Sequence, residues 1–199
     1  MIRIVGKSHQ GKREHNEDFV IADESLGLAL VADGMGGRSA GEVASKLAAA
    51  VIQEHLRQSD NLLDAILAAH REIIAAANDG RGKPGMATTV AAVKMQSSSY
   101  MISWVGDSRV YLWNGELLQL TRDHSYVQAL IAQGKLAMED ADQNARRNLV
   151  TQALGIEELK SLDVKVIKGE LGGGERLLIC SDGLNDELGN IGIAKILSE

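Results

Sequence analysis

The stretch Leu28-Ala29-Leu30-Val31-Ala32-Asp33-Gly34-Met35-Gly36-Gly37 is an apolar run that stops on a carboxylate and then breaks into glycines. A continuous apolar run of this length fits a strand covered on both faces, and the glycines behind it permit a tight turn and close backbone approach. Asp33 is therefore expected at the end of a buried strand, beside exposed backbone carbonyls. The same order recurs in Ile102-Ser103-Trp104-Val105-Gly106-Asp107-Ser108 and in Leu177-Leu178-Ile179-Cys180-Ser181-Asp182-Gly183. One strand-end Asp beside Gly is ordinarily a turn residue. If three such ends converge, their carboxylates repel unless a hard cation neutralises them, so an all-oxygen magnesium or manganese site is the simplest expectation.

A chain of 199 residues suits one domain with one core. Its 45% hydrophobic and 24% charged residues are ordinary globular values. The net charge of -6, with Lys12-Arg13 and Arg146-Arg147 as the only basic pairs, argues against a nucleic-acid partner. The lone Cys180 excludes an internal disulfide and reads as a small core residue, which fits a reducing, cytoplasmic setting. Residues 1–7 are too short and charged for a signal peptide, and no run approaches membrane-spanning length, so no membrane partner is expected.

Along the chain, Ile2–Val5 reads as an opening strand. Gly6-Lys7-Ser8 resembles the end of a phosphate loop, but Met1 stands where that loop needs its first glycine and Gly11 where it needs a helix. Glu17 and Asp18 precede the β-prone Phe19-Val20-Ile21-Ala22. Ser39 followed by Glu42 is a capping box opening a helix to about Arg57, with Val43, Leu47, Val51 and Leu56 at helical spacing and Ala44, Ala48 and Ile52 flanking them. A second helix starts at Asn61 and stops at Asn78-Asp79-Gly80, and the two should pack as a pair. His55 and His70 read as ordinary helix residues. From Thr88 the chain turns β: 88–96, 100–105, 109–113, a turn at Asn114-Gly115, and 117–121, an antiparallel meander with Asp107 in a connection. Residues 125–133 have a helical pattern, 134–147 are polar and irregular, 149–154, 163–168 and 175–181 return to strand, and 191–197 suggest a final short helix. Blocks of strands and of helices predict an α+β architecture.

In sequence order, Arg13-x-x-Asn16-Glu17-Asp18, Val31-Ala32-Asp33-Gly34-Met35-Gly36-Gly37, Gly41-Glu42, Ala87-Thr88-Thr89, Val105-Gly106-Asp107-Ser108-Arg109, Thr121-Arg122-Asp123-His124-Ser125 and Cys180-Ser181-Asp182-Gly183-Leu184 closely resemble the metal-dependent protein phosphatases of type 2C in their compact bacterial form. The resemblance spans residues 1 to about 188. It implies a four-layer αββα sandwich of two antiparallel sheets flanked by helix pairs. The implied activity is hydrolysis of phosphoserine and phosphothreonine in protein substrates, opposing a serine/threonine kinase, by a monomer using two Mn2+ or Mg2+ ions and a third, weaker one. By the same resemblance Asp33 bridges two metals, the Gly34 carbonyl and Asp182 each ligate one, Glu17 and Asp18 complete a shell through water, Asp107 holds the third ion and Arg13 grips the substrate phosphate. A bridged metal pair lowers the pKa of a shared water, and an arginine fork suits a phosphate. Residues about 134–148 fall where the family carries a variable flap.

Two departures stand out. Many bacterial relatives have a histidine after the Gly-Gly pair, where this chain has Arg38, and His124 reads as a loop residue, so the general acid is unassigned. The family's closing strand, with an Asp-Asn pair whose aspartate joins Asp182, has no counterpart before Glu199; Asn185-Asp186-Glu187 has the reverse order. The expectation is a single catalytic domain that is short at its C-terminus, with weakened metal affinity and one unpaired sheet edge. The alternative is a regulatory or binding module on the same fold, weak or inactive as a catalyst. A dinucleotide-binding reading of Gly34 to Ser39 lacks its third glycine, and a nuclease reading lacks basic clusters.

Overall fold

The computed structural model describes residues 2–36, 40–157 and 161–199. Ser39, the cap expected for the first helix, and Arg38 lie outside the described residues. Strands β1 (Asp18–Asp23), β2 (Leu28–Met35), β4 (Val90–Gln96), β5 (Ser99–Val105) and β8 (Lys165–Glu170) form one antiparallel sheet in the order β1-β2-β4-β5-β8, with the two-residue β3 (Ala87–Thr88) paired to β2. A second antiparallel sheet has the order β7-β6-β9, from β6 (Arg109–Trp113), β7 (Leu117–Gln119) and β9 (Arg176–Cys180). Helices α1 (Ala40–Gln58) and α2 (Leu62–Asp79) cover the outer face of the larger sheet, α4 (Asp182–Leu197) covers the smaller one, and the short α3 (Tyr126–Ala132) leads into the irregular segment. This is the α+β, αββα order of layers. The helix pair expected on the second side is, among the described residues, one helix bent at Gly189, whose φ of 60° and ψ of 171° interrupt it.

Alternation along β2 sorts the layers. Leu28, Leu30 and Ala32 point to α1 and α2 and are fully buried with Ile52, Ile66 and Ile73, while Ala29, Val31 and Asp33 face the other sheet. Each of the buried Leu and Ile side chains contributes about 1.5–3 kcal/mol on burial. A second cluster between the sheets joins Val93, Ile102, Trp104 and Val110, and a third under α4 joins Tyr111, Cys180 and Ile193. The α2 ends follow the sequence: the Asn61 side chain accepts from the Asp64 N–H at 3.2 Å, and Gly80 closes the helix at φ 86°.

Several expectations are corrected. Residues 2–17 form no strand; Ile4 N–H bonds only the Glu24 carboxylate (3.0 Å), and Val5 is three-quarters exposed, so no ladder holds an opening strand. Along α1 the flanking Ala44, Ala48 and Ile52 are buried with Ser45, Ala49 and Leu56, while Val43, Leu47 and Val51 pack partly buried at the edge of the core, because the small residues let the helix backbone approach β2. The strand expected over 88–96 is broken at Thr89. The meander is not one sheet, since the chain crosses from the large sheet to the small one through Gly106-Asp107-Ser108. Residues 149–154 make only isolated bridges, Val150 to Ser125 and Leu154 to Thr88. The helix expected over 191–197 instead begins at Asp182, directly after β9.

Candidate metal and phosphate site

The site lies at one end of an open cleft of about 2620 Å³ between the two sheets. Asp33 sits inside β2, and register places it opposite Asp18, the first residue of β1, so both carboxylates share the inner face of the sheet. Asp18 is steadied twice: its N–H donates to Asn16 Oδ1 at 3.1 Å, and its Oδ2 accepts from Ser181 Oγ at 2.8 Å. The break at Thr89 serves Asp33. Thr89 N–H and Thr88 Oγ–H both donate to the Asp33 carbonyl, at 2.8 and 2.9 Å, and Asp33 N–H donates to Thr89 Oγ1 at 3.3 Å. Thr89 Oγ1 also bonds Ser108 Oγ at 2.8 Å, tying β2 to the crossing that carries Asp107.

Gly34 follows Asp33 where its Cα meets the backbone of Gly41 in α1, and its N–H donates to the Glu17 carbonyl at 3.2 Å. A Cβ at either glycine would overlap the other residue's backbone, which is why the strand can deliver a backbone carbonyl so close to a helix. Ser45 Oγ–H donates to the same Glu17 carbonyl at 2.6 Å. Asp182 is the first residue of α4, next to Ser181, and Asp186 follows one turn later.

These acids act on one another. Burial, then the neighbouring Asp18, Asp182 and Asp107, raise the Asp33 pKa well above the usual carboxylate range. Burial and Asp186 raise Asp182, while the Arg13 charge opposes that rise. Burial, then Asp182 and Asp123, push Asp107 up to about 7. The three strand-end acids of the sequence do converge, and Glu17, Asp18, Gly34 and Arg13 line the same cleft.

Asp33 and Asp182 lie close enough to perturb each other's ionisation. Among the described residues no group of three or more His, Cys, Asp or Glu side chains is arranged to hold a metal ion. The donor set nevertheless fits Mg2+ or Mn2+: hard oxygens throughout, buried carboxyls whose mutual repulsion a cation would offset, and a backbone carbonyl held where no Cβ obstructs it.

The sequence reading assigned no role to Asn16, Thr88, Thr89 or Ser181, all of which orient the acids. Asn16 and Ser181 stand beside Glu17 and Asp182 in the quoted motifs, whereas Thr88 and Thr89 have no acid next to them in sequence and reach Asp33 only through the fold. Cys180 lies buried under Tyr111, and burial pushes its thiol up to about 12, so it is a core residue as expected. His70 is a half-buried helix residue whose Nδ1 accepts from Gly155 N–H at 3.1 Å. No helix is long and apolar enough to cross a membrane among the described residues.

A family profile described as protein phosphatase 2C matches residues 5–195. A serine/threonine phosphatase, Stp, of Listeria innocua is 36% identical over 200 residues, covering 93% of this chain and 78% of its own. The serine/threonine protein phosphatase PstP of Mycobacterium tuberculosis is 38% identical over 207 residues, 99% of this chain and 39% of that longer protein. The crystal structure of the Mycobacterium tuberculosis phosphatase superposes with a TM-score of 0.83 at 34% identity, covering 98% of this chain and 81% of that one. A PstP catalytic domain in complex with two manganese ions superposes with a TM-score of 0.80 at 32% identity, covering all of this chain and 82% of that domain.

Proposed function

The chain belongs to the protein phosphatase 2C family, and from that premise we propose that its cleft hydrolyses phosphoserine and phosphothreonine in proteins, with Mn2+ or Mg2+ as cofactor. The observation that carries the reading is the convergence of Asp18, Asp33, Asp107 and Asp182 at one end of the cleft, with Arg13 on its rim. Relatives named as phosphatases over nearly the whole chain favour this over an inactive binding module.

In this assignment Asp33, Asp182 and the Gly34 carbonyl would hold the two principal ions, with Glu17 and Asp18 supporting them, and Asp107 would hold a third. When bound, the ions lower the pKa of water and neutralise charge on the phosphoryl oxygens. The protein's own part is placement. Ser181 and Asn16 keep Asp18 in position, and the Thr88, Thr89 and Ser108 hydroxyls fix the backbone on both sides of the acids. Arg13 offers its planar fork to the phosphate oxygens from the exposed rim. Residues about 134–148 form a flap beside the site that selects substrates, within one catalytic domain spanning 1–199; Asn148 Nδ2 reaches Asp186 at 3.3 Å. We place the protein as a monomer in the cytoplasm, opposing a serine/threonine kinase; the lone, buried Cys180 suits a reducing compartment.

The test is hydrolysis of p-nitrophenyl phosphate and of a phosphothreonine peptide, titrated with manganese, by this chain beside Asp33→Asn. Metal-dependent turnover by the parent, with at least about a 100-fold loss in the variant, is expected, since even outer partners of a metal site carry about 10–100-fold. A folded parent that turns over neither substrate at any manganese concentration would refute the assignment.

A further inference from the structure

We infer that His124 is the positioning residue for Asp107, gripping the preceding Gly106 by both of its backbone groups. The Gly106 N–H donates to His124 Nδ1 at 3.1 Å, and the His124 N–H donates to the Gly106 carbonyl at 2.9 Å. Residue 106 has little other freedom. Its φ is +107°, and a Cβ there would come within 2.5 Å of the Thr89 Cβ, so the crossing between the sheets is wedged against Thr89 on one side and held by His124 on the other. Asp107 is the next residue along the chain.

His124 is itself fixed. Its ring stacks on Trp104, with centroids 6.5 Å apart and planes 19° apart, and Trp104 Nε1–H donates to the Arg122 carbonyl at 2.9 Å. The His124 carbonyl accepts from Thr151 N–H at 2.8 Å, just beyond the irregular segment. The side chain is nine-tenths buried. Because Nδ1 accepts, the neutral ring carries its proton on Nε2, and burial favours that neutral form by lowering the pKa. Nε2 is buried without a hydrogen-bond partner, 3.9 Å from Asp163 Oδ2. A histidine that served only to fill space would not need an acceptor aimed at a glycine N–H. Without that acceptor a part-buried donor is stranded one residue before a carboxylate on which metal binding depends.

The inference rests on Asp107 being a metal ligand, and the experiment separates the two ideas. Mn2+ binding to the full chain is measured by calorimetry, together with thermal stability, for the parent, Asp107→Asn, His124→Leu, His124→Asn, His124→Gln and the Asp107→Asn/His124→Leu double variant. Asp107→Asn should remove the weakest Mn2+ site. His124→Leu should weaken that site by about 10-fold or more, in the range carried by outer partners of metal ligands. His124→Asn should restore it, because its Oδ1 can accept where Nδ1 does; His124→Gln should not, because its acceptor lies one bond further out. In the Asp107→Asn background, His124→Leu should lower stability but leave Mn2+ binding unchanged. Equal binding by parent and His124→Leu overturns the inference, as does a loss undiminished in the Asp107→Asn background. If His124→Leu does not fold, equal binding by the Asn and Gln variants overturns it. Unaltered binding by Asp107→Asn itself overturns the site assignment beneath it.

Discussion

Strand β2 has two faces with opposite energetics. Its even-numbered side chains, Leu28, Leu30 and Ala32, pack under α1 and α2 with no more than 1% of their surface exposed. Its odd-numbered ones, Ala29, Val31 and Asp33, look into an open cleft where four aspartates repel one another. The packed face supplies the rigidity that holds the acids together against their repulsion. The site is thereby pre-organised at a cost in stability that a cation offsets, and functional sites generally carry such local costs.

The largest effect should come from breaking the packed face. Leu30→Ala removes a fully buried side chain from beneath α1 and should cost about 2–5 kcal/mol, read as a lower midpoint in urea with little change in slope. Asp33→Asn, its neighbour three positions along the same strand, should do the reverse in EDTA. It relieves repulsion and should raise the midpoint while abolishing metal-dependent turnover. A midpoint that falls in both variants would mean that the two faces do not differ as described.

That division was half visible beforehand. The acids and their convergence could be read because apolar runs ending on Asp-Gly are local signals, and the α2 caps because Asn61 and Gly80 act within their own turns. What could not be read depended on the rest of the molecule. The sequence placed Ala44, Ala48 and Ile52 beside the core face of α1, but not how deeply they sit, since backbone contact between Gly34 and Gly41 sets how closely the helix approaches. Asp182-Gly183 looks like a turn, yet it starts a helix because β9 ends there and α4 has Tyr111 and Cys180 to cover. Thr89 interrupts an otherwise β-prone run because its N–H bonds the Asp33 carbonyl.

A smaller effect is expected from pH. Carboxylates whose folded pKa is raised stabilise the protein below their unfolded value, and that contribution is lost as pH rises through the folded one. For Asp107 the window runs from its usual 3.8 to about 7; Asp33 and Asp182 shift in the same direction. Burial lowers His70 and His124, which works the other way as the pH falls below about 6.5. The decisive quantity is therefore a difference. In EDTA, the melting temperature of the parent should fall relative to that of Asp107→Asn as pH rises from 4 to 8, and saturating Mn2+ should remove the divergence. Parallel curves in EDTA would show that the cleft face carries no such cost.

The smallest effect tests whether the two faces are mechanically joined. Ser45 is fully buried among the alanines of α1, and its hydroxyl reaches out of the packed face to the Glu17 carbonyl at 2.6 Å, with the Glu42 carbonyl at 3.2 Å. Ser45→Ala deletes that bond without opening a cavity, and the Glu17 carbonyl keeps the Gly34 N–H as a donor. The loss should therefore be about 1 kcal/mol, the net worth of one hydrogen bond rather than the larger penalty of an unsatisfied group. If Ser45 also fixes where residues 17 and 18 stand, Mn2+ affinity should drop several-fold alongside stability. Lower stability with Mn2+ affinity unchanged would mean that Asn16 and Ser181 position Asp18 on their own, and that the helix-covered face supports the sheet without reaching the site.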